Sequence, residues 1–260
     1  MIHAAAGSAH RFIQSSVSSD APLTLFCDFD GPIVDVSERY YQTYRLGLAE
    51  IKSVYQRQGI APRLNELTKD RFWQMKQERT PDMEIAMRSG LRGHQIEQFL
   101  GRVKQIVNQP KLLNQDQIQP GVKWALALLH SQGVRLVLVT LRQQNQAAQI
   151  LREHELEPLF SQIWGTQDED AAYLNQSEHK TRLLQTAIGH CAPAAAWMVG
   201  DTEADILAGQ ASSIPTIALT CGIRSRTYLQ KFQPTRIHAD LLSAAHFLTD
   251  SAQHPAQTVA

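Results

Sequence analysis

The stretch LTLFCDFDG, residues 23–31, determines how the rest of the sequence is interpreted. Its apolar part is typical of a buried parallel strand, and it ends in two carboxylates, Asp28 and Asp30. Because side chains alternate along a strand, both carboxylates are predicted to lie on one side, with Cys27 and Phe29 on the other. Open parallel sheets bind their ligands at the carboxyl ends of the strands, so we expect a functional site here.

The two aspartates predict a metal site, since carboxylates this close repel each other unless a cation lies between them. A hard divalent ion with oxygen ligands suits such a pair, and Mg²⁺ is the expected metal. A second acidic cluster, Asp201 and Asp205, also follows an apolar run and can complete the metal shell. Between the clusters, Thr140 ends a predicted strand and Lys180 lies near the start of a predicted helix. A hydroxyl and an ammonium group are suitable partners for phosphate oxygens.

Apolar runs that end in polar residues recur along the chain and alternate with amphipathic segments, as in a doubly wound parallel sheet. The predicted strands are residues 23–29, 134–140, 197–200 and 216–219. The predicted helices between them are residues 121–132, 143–154 and 180–189. Gly133 is well placed as a left-handed stop after the first of these helices. The expected fold class is therefore α/β, with a Rossmann-like core.

A long central segment interrupts this alternation, because it is helix-like throughout and contains no recognisable strand. Ser37 is expected to cap a helix that runs toward Gly59, Pro81 to begin another, and a further helix to follow Gly93. We interpret the segment as an inserted helical cap. The expected organisation is a flexible N-terminal extension, a core in two parts, the cap between them and a flexible tail: residues 1–20, 21–36 with 119–248, 37–118 and 249–260.

Bulk composition limits the classes of partner. Lysine plus arginine and aspartate plus glutamate each number 25, so the net charge is zero and neither nucleic acid nor a membrane is an expected partner. Three widely spaced cysteines fit neither a disulfide framework nor a zinc cluster, and a cytoplasmic location is the simplest expectation. There is no run of about 18 apolar residues to span a bilayer. A monomer or weak homodimer is the default oligomeric state.

Four motifs, in order along the chain, resemble those of the haloacid dehalogenase-like superfamily. They are Asp28-Phe29-Asp30-Gly31, Thr140, Lys180, and Gly200-Asp201 with Asp205. The likeness extends from residue 23 to residue 222, and the position of the cap is similar to that in the phosphoglycolate phosphatase and beta-phosphoglucomutase branch. Asp35 adds to this similarity. Each motif lies at a predicted strand end or helix start, and four together are far more specific than one.

The resemblance implies a role for each motif residue. Asp28 is the implied nucleophile, which becomes an aspartyl phosphate, and Asp30 is the implied general acid and then general base. Thr140 and Lys180 are implied to hold the phosphoryl oxygens.

The resemblance also implies a metal site and a reaction. Mg²⁺ is implied to bind Asp28, the backbone carbonyl of Asp30 and Asp201, with Asp205 acting directly or through a neighbouring ligand. The expected protein is a Mg²⁺-dependent phosphatase of a small phosphorylated metabolite. Its cap is expected to close over the site and exclude water.

Two positions depart from the family pattern. Pro32 stands where threonine is usual, and Leu141-Arg142 follow Thr140 where an asparagine is common. Arg142 is a further candidate for binding the phosphate, because it adds positive charge near Thr140. The alternative is an arginine that is solvated at the start of a helix.

Other activities of the same fold stay open. A phosphomutase has the same four motifs, and a phosphonate-cleaving enzyme needs a cap lysine for a Schiff base, for which Lys52, Lys69 and Lys76 are candidates. Dehalogenation is disfavoured because that branch lacks the second aspartate, which is Asp30. A non-enzymatic phosphoacceptor is the alternative from another class, although receiver domains have no large helical insertion. Residues 71–76 of the cap are expected either to line a substrate lid or to pack within the cap.

Overall fold

The computed structural model describes residues 22–168 and 170–253. The expected N-terminal extension, residues 1–20, lies outside the described residues, as do residues 254–260. None of the helices among the described residues combines the length and the apolar character that crossing a bilayer requires.

Of the eight strands among the described residues, six form one parallel sheet at the centre of the molecule and two form a separate short pair. The strands in chain order are β1 Thr24–Cys27, β2 Val34–Asp35, β3 Gln117–Ile118, β4 Arg135–Gln143, β5 Phe160–Thr166, β6 Ala196–Gly200, β7 Thr216–Leu219 and β8 Arg236–His238. The sheet order is β5-β4-β1-β6-β7-β8, and every neighbouring pair is parallel. The strand order reverses at β1, and such a reversal opens a crevice at the carboxyl ends of the strands. The predicted α/β class is confirmed.

Twelve α-helices cover the sheet and build the cap within the described residues. They are α1 Ser37–Arg57, α2 Lys69–Gln77, α3 Asp82–Arg88, α4 His94–Ile106, α5 Pro110–Leu113, α6 Val122–Ser131, α7 Gln144–Glu153, α8 Ala171–Leu174, α9 Ser177–Cys191, α10 Glu203–Ala211, α11 Arg226–Gln230 and α12 Leu241–Gln253. The first five lie between β2 and β3, the short antiparallel pair in which Val34 faces Ile118. This pair therefore carries both connections between the helical insertion and the sheet.

The alternation of side chains along β1 divides the core into two layers. Leu25 and Cys27 belong to the large cluster that includes residues of α6 and α12. Phe26 points into a separate cluster with Leu184 of α9 and Ala208 of α10. All three β1 side chains are fully buried, so the strand has apolar contacts on both faces, as its sequence predicts. Gly133 has φ of +73° after α6, which confirms the predicted left-handed stop.

Several local predictions were wrong. Ser37 does not cap α1, because Val36 is the cap residue and the backbone N–H of Ser37 donates to Asp35 Oδ1 at 2.8 Å. The insertion contains a strand, β3, and β5 and β8 were not predicted. The last helix, α12, continues to Gln253, beyond the expected end of the core at residue 248. β1 ends at Cys27, so the two motif aspartates follow the strand.

Candidate active site

Three carboxylates meet at the carboxyl ends of two neighbouring strands. Asp28 follows β1, Asp201 follows β6, and Asp205 lies in the first turn of α10. Cys27 pairs with Val199 across β1 and β6, so the two loops begin side by side. One oxygen from each of the three carboxylates lies within 4.8 Å of the others. The fold thus brings together two acidic clusters that are far apart in the sequence.

Lys180 links two of these carboxylates. Its Nζ lies 2.7 Å from Asp28 Oδ1 and 2.8 Å from Asp205 Oδ1, and its side chain is only 1% exposed. Burial acts to lower the pKa of Lys180, but the charges of Asp205 and Asp28 outweigh burial and hold that pKa well above its usual range. Lys180 is therefore an ammonium ion at neutral pH, and its orientation is fixed by the acidic cluster.

The same crowding affects the carboxyl groups. Burial and the charge of Asp205 raise the pKa of Asp28 to about 7, although Lys180 acts in the opposite direction. Burial and the charge of Asp28 raise the pKa of Asp201 well above its usual value. A cation among these groups would favour their charged forms.

Two glycines, Gly31 and Gly222, lie close against the carboxylate of Asp201. A Cβ atom at Gly31, where φ is +97°, would lie 2.1 Å from Asp201 Cγ, and one at Gly222 would lie 1.9 Å from Asp201 Oδ2. Oδ2 accepts a hydrogen bond from the backbone N–H of Ile223 at 2.6 Å. Oδ1 is buried and has no hydrogen-bond partner among the described residues. A buried carboxylate oxygen in this state is costly unless a ligand satisfies it.

These residues fit a divalent cation such as Mg²⁺. Three carboxylates and one ammonium leave a net charge of −2, and carboxylate oxygens are the ligands that Mg²⁺ prefers. Asp201 Oδ1, which has no hydrogen-bond partner among the described residues, is free to bind this cation. Asp205 is engaged at both oxygens, because Oδ1 pairs with Lys180 and Oδ2 accepts from Thr202 N and Oγ1 at 3.1 and 2.8 Å. Asp205 therefore fixes Lys180 and the start of α10.

Asp30 belongs to a second network, formed by four charged side chains. Its Oδ1 lies 2.7 Å from Arg142 Nη2, and its Oδ2 lies 3.2 Å from Arg39 Nη2. Asp116 contacts both arginines, with Oδ1 2.9 Å from Arg39 Nε and Oδ2 2.5 Å from Arg142 Nη2. Sequence reasoning missed Arg39 and Asp116, because they lie outside the motifs and are 77 positions apart.

Thr140 and Arg142 lie in β4, next to β1 in the sheet. Thr140 is buried, and its Oγ1 accepts a hydrogen bond from the backbone N–H of Arg142 at 3.1 Å. The alternative of a solvated Arg142 at a helix start is wrong, because Arg142 belongs to the strand and is 3% exposed. Its Nε and Nη1 are buried without hydrogen-bond partners among the described residues. Burial acts to lower the pKa of Arg142, but Asp30 and Asp116 outweigh it and raise that pKa.

A cavity of about 50 Å³ joins the two networks under the cap. Asp28, Asp30, Thr140, Arg142 and Asp201 line it from the sheet side. The other side includes three cap residues, Tyr40, Lys76 and Arg79, together with Tyr173 of α8 and Arg224. The cap rests on the core here, since Arg79 pairs with Glu203 at 3.2 Å and Arg224 Nη1 donates to the backbone carbonyl of Lys76 at 3.2 Å.

The sequence profile of the haloacid dehalogenase-like hydrolase family matches residues 25–219. The chain belongs to this family. A phosphoglycolate phosphatase of Aliivibrio fischeri is 33% identical over 117 residues, which are 45% of this chain and 50% of the relative. A protein of Dickeya dadantii named "Probable phosphatase IndB" is 25% identical over 238 residues, 90% of this chain and 97% of the relative.

Solved structures have the same fold as this haloacid dehalogenase-like chain. A haloacid dehalogenase-like hydrolase of Streptococcus pneumoniae aligns with a TM-score of 0.63 at 21% identity, over 87% of this chain and 98% of that one. The chain spans about half the length of the first curated phosphoglycolate phosphatases that it matches.

Of the three cap lysines that are candidates for a Schiff base in this haloacid dehalogenase-like protein, only Lys76 lines the cavity. Lys76 is buried and lines the cavity, whereas Lys52 is exposed and Lys69 pairs with Glu38 at 2.7 Å. Phe72 and Met75 are buried in the core cluster, which confirms the packing alternative for residues 71–76. Lys76 of the same segment lines the cavity, and its role as part of a substrate lid stays a prediction. Burial lowers the pKa of Lys76 although Asp82 opposes it.

Proposed function

We propose that the protein is a Mg²⁺-dependent phosphatase that hydrolyses a small phosphorylated metabolite through an aspartyl phosphate on Asp28. The observation that supports this proposal most is the buried cluster in which Lys180 joins Asp28 and Asp205 beside the unpartnered Oδ1 of Asp201. The cluster adjoins a cavity that Thr140 also lines. The family membership and the names of the phosphatase relatives agree with this chemistry.

Asp28 is proposed as the nucleophile. Its Oδ1 is held by Lys180 Nζ and by the backbone N–H of Phe29, each at 2.7 Å, which leaves Oδ2 for attack on phosphorus. The P–O bond to the leaving group breaks as the bond from Asp28 forms, and Asp30 donates a proton to the departing oxygen. Asp30 then takes a proton from the water that attacks the aspartyl phosphate. Inorganic phosphate is released, and the carboxylate of Asp28 is regenerated.

The other site residues bind and orient the phosphoryl group. Thr140 and Lys180 are proposed to donate hydrogen bonds to its oxygens, and Arg142 is proposed to add its unpartnered Nε or Nη1. Mg²⁺, held by Asp28, the backbone carbonyl of Asp30 and Asp201, would supply positive charge at the reacting phosphoryl oxygens. The contacts between cap and core, such as Arg79 with Glu203, are proposed to limit the access of bulk water to the cavity.

The test is release of inorganic phosphate from a panel of phosphorylated metabolites, with Mg²⁺ and with a chelator. Asp28→Asn should abolish the Mg²⁺-dependent turnover, by at least roughly 1,000-fold, because an amide is not a nucleophile here. Asp250→Asn, the same change at an exposed position of α12, is the matched control and should behave as wild type.

Each other outcome of this test has a meaning. Isomerisation of a sugar phosphate in place of phosphate release would identify a phosphomutase. Mg²⁺ binding and phosphorylation of Asp28 without turnover would indicate a non-enzymatic phosphoacceptor. Turnover that survives Asp28→Asn would refute the nucleophile.

A second candidate function, phosphonate cleavage, rests on Lys76. This lysine is 8% exposed and lines the same cavity as Asp28, but its ion pair with Asp82 at 2.8 Å favours the ammonium form, which does not attack a carbonyl. Inactivation by borohydride in the presence of an aldehyde-bearing phosphonate, lost in Lys76→Met and kept in Lys69→Met, would favour it. The absence of such inactivation would exclude phosphonate cleavage through Lys76 and favour the phosphatase function.

A further inference from the structure

We propose that Asp116, acting with Arg39, positions the carboxylate of Asp30 for proton transfer to the leaving group. This inference rests on the proposed phosphatase function. It assigns a role to two residues outside the four motifs: Arg39 pairs with Asp30, and Asp116 pairs with Arg39 and Arg142.

The contacts fix both oxygens of the Asp30 carboxylate. Arg142 approaches Oδ1 at 2.7 Å and Arg39 approaches Oδ2 at 3.2 Å, so the group is held from two directions. Asp30 follows the end of β1 in a loop and has a side chain 20% exposed, so the strand itself does not fix it. A proton donor must lie within hydrogen-bond reach of the departing oxygen, and this requires a fixed orientation.

Asp116 is required because two arginines converge on one carboxylate. The side chains of Arg39, Arg142 and Asp116 are 2%, 2% and 1% exposed. Without Asp116 this buried network would carry a net charge of +1 when Asp30 is a carboxylate and +2 when Asp30 holds the proton that it donates, and the two guanidinium groups would repel each other. With Asp116 these charges fall to 0 and +1, and one carboxylate holds Nε of Arg39 and Nη2 of Arg142 at 2.9 and 2.5 Å.

The backbone at both ends of the insertion supports this arrangement. Arg39 lies in the first turn of α1, shortly after β2, and Asp116 immediately precedes β3. β2 and β3 pair with each other, and the backbone of Asp30 forms a bridge with Val34. The residues that hold Asp30 are thus anchored on the short ladder beside it, which is a rigid support for a positioning contact.

The test compares kcat/KM for two phosphoryl donors at saturating Mg²⁺. Acetyl phosphate has a leaving group that departs without a proton, whereas the alkoxide of glycerol 2-phosphate needs one. Because kcat/KM reports the steps up to departure of the leaving group, later hydrolysis of the aspartyl phosphate does not enter it. The ratio of the two values is taken from one preparation, so an inactive fraction of the protein cancels.

Asp116→Asn should lower kcat/KM for glycerol 2-phosphate by about 10- to 100-fold and that for acetyl phosphate by no more than about threefold. Arg39→Lys keeps the charge but loses the planar guanidinium, whose Nη2 and Nε contact Asp30 and Asp116 separately, and it should shift the ratio in the same direction. Asp30→Asn combined with Asp116→Asn should lose no more than Asp30→Asn alone. Asp70→Asn, an exposed position in the first turn of α2, is the matched control and should leave the ratio unchanged.

Two results would overturn the inference. Equal losses for both donors in Asp116→Asn would mean that Asp116 has only a structural role. Wild-type kcat/KM for both donors in both Asp116→Asn and Arg39→Lys would mean that Asp30 does not depend on them. Wild-type protein that releases phosphate with Mg²⁺ neither from these donors nor from the metabolite panel would instead refute the phosphatase function on which the inference rests.

Discussion

Replacing Gly222 by alanine should disable the proposed metal site through a single methyl group. The new Cβ would lie 1.9 Å from Asp201 Oδ2, and Cβ contacts under 3.0 Å essentially never occur, so the carboxylate must retreat by about 1.1 Å. Gly31 restricts the retreat further, because it lies so close that a Cβ there would be 2.1 Å from Asp201 Cγ. The hydrogen bond from Ile223 N to Oδ2, now 2.6 Å, would also be lost or distorted.

The size of the effect follows from this displacement. A shift of about 1 Å in a group that fixes the reacting atoms costs roughly 100-fold in rate, so Gly222→Ala should lower Mg²⁺-dependent kcat by about that factor. Overpacking of a buried site should lower the free energy of unfolding by roughly 1–3 kcal/mol. The φ of Gly222 lies outside the left-handed range, so the contact with Asp201 and not the backbone conformation decides the outcome.

The assays are Mg²⁺ affinity by titration calorimetry, phosphate release and urea denaturation. Gly189→Ala is the matched control, since Gly189 is exposed in α9 and nothing lies within 4 Å of the added Cβ. It should keep full activity and raise the free energy of unfolding by about 0.5–1 kcal/mol, because alanine favours helix. Wild-type Mg²⁺ affinity and turnover in Gly222→Ala would refute the placement of the metal at Asp201.

Two further substitutions test the cap and the phosphate pocket. Burial acts to raise the pKa of Asp82, but Lys76 and Tyr173 outweigh it and lower that pKa below its ordinary value of 3.8. A lowered native-state pKa gives stability that is present above pH 3.8 and lost as the pH falls through the lowered value. Asp82→Asn should therefore be less stable than wild type by roughly 1–2 kcal/mol at pH 6, and urea titrations should show this difference shrinking toward pH 3; a constant difference would contradict the pairing. Thr140→Val should lower kcat/KM about tenfold by removing the proposed phosphate contact, and unchanged kinetics would exclude that contact.

The sequence by itself determined the features that arise within a single segment of chain. An apolar run that ends in polar residues is a buried strand with a loop at the edge of the sheet, and this pattern located β1, β4, β6 and β7. The exact bounds of the helices were harder to predict from the sequence. The edge strand β5 was not predicted, because it mixes polar and apolar residues and is only partly buried. β8 has three residues, too few for a period to be recognised.

The tertiary structure decided which distant groups meet and what each side chain contacts. Asp28 and Asp201 were expected to cooperate from the sequence. Only the structure shows that Asp201 Oδ1 is buried without a hydrogen-bond partner among the described residues and that Gly31 and Gly222 lie against this carboxylate. Arg142 belongs to a strand and contacts Asp30, and Asp116 contacts Arg142 from the far end of the insertion. Hydrophobic periodicity reports which face of an element is buried, but the partners of a buried charge depend on where separate elements are packed. The motif positions could therefore be predicted from the sequence, while the network that holds Asp30 depended on the fold.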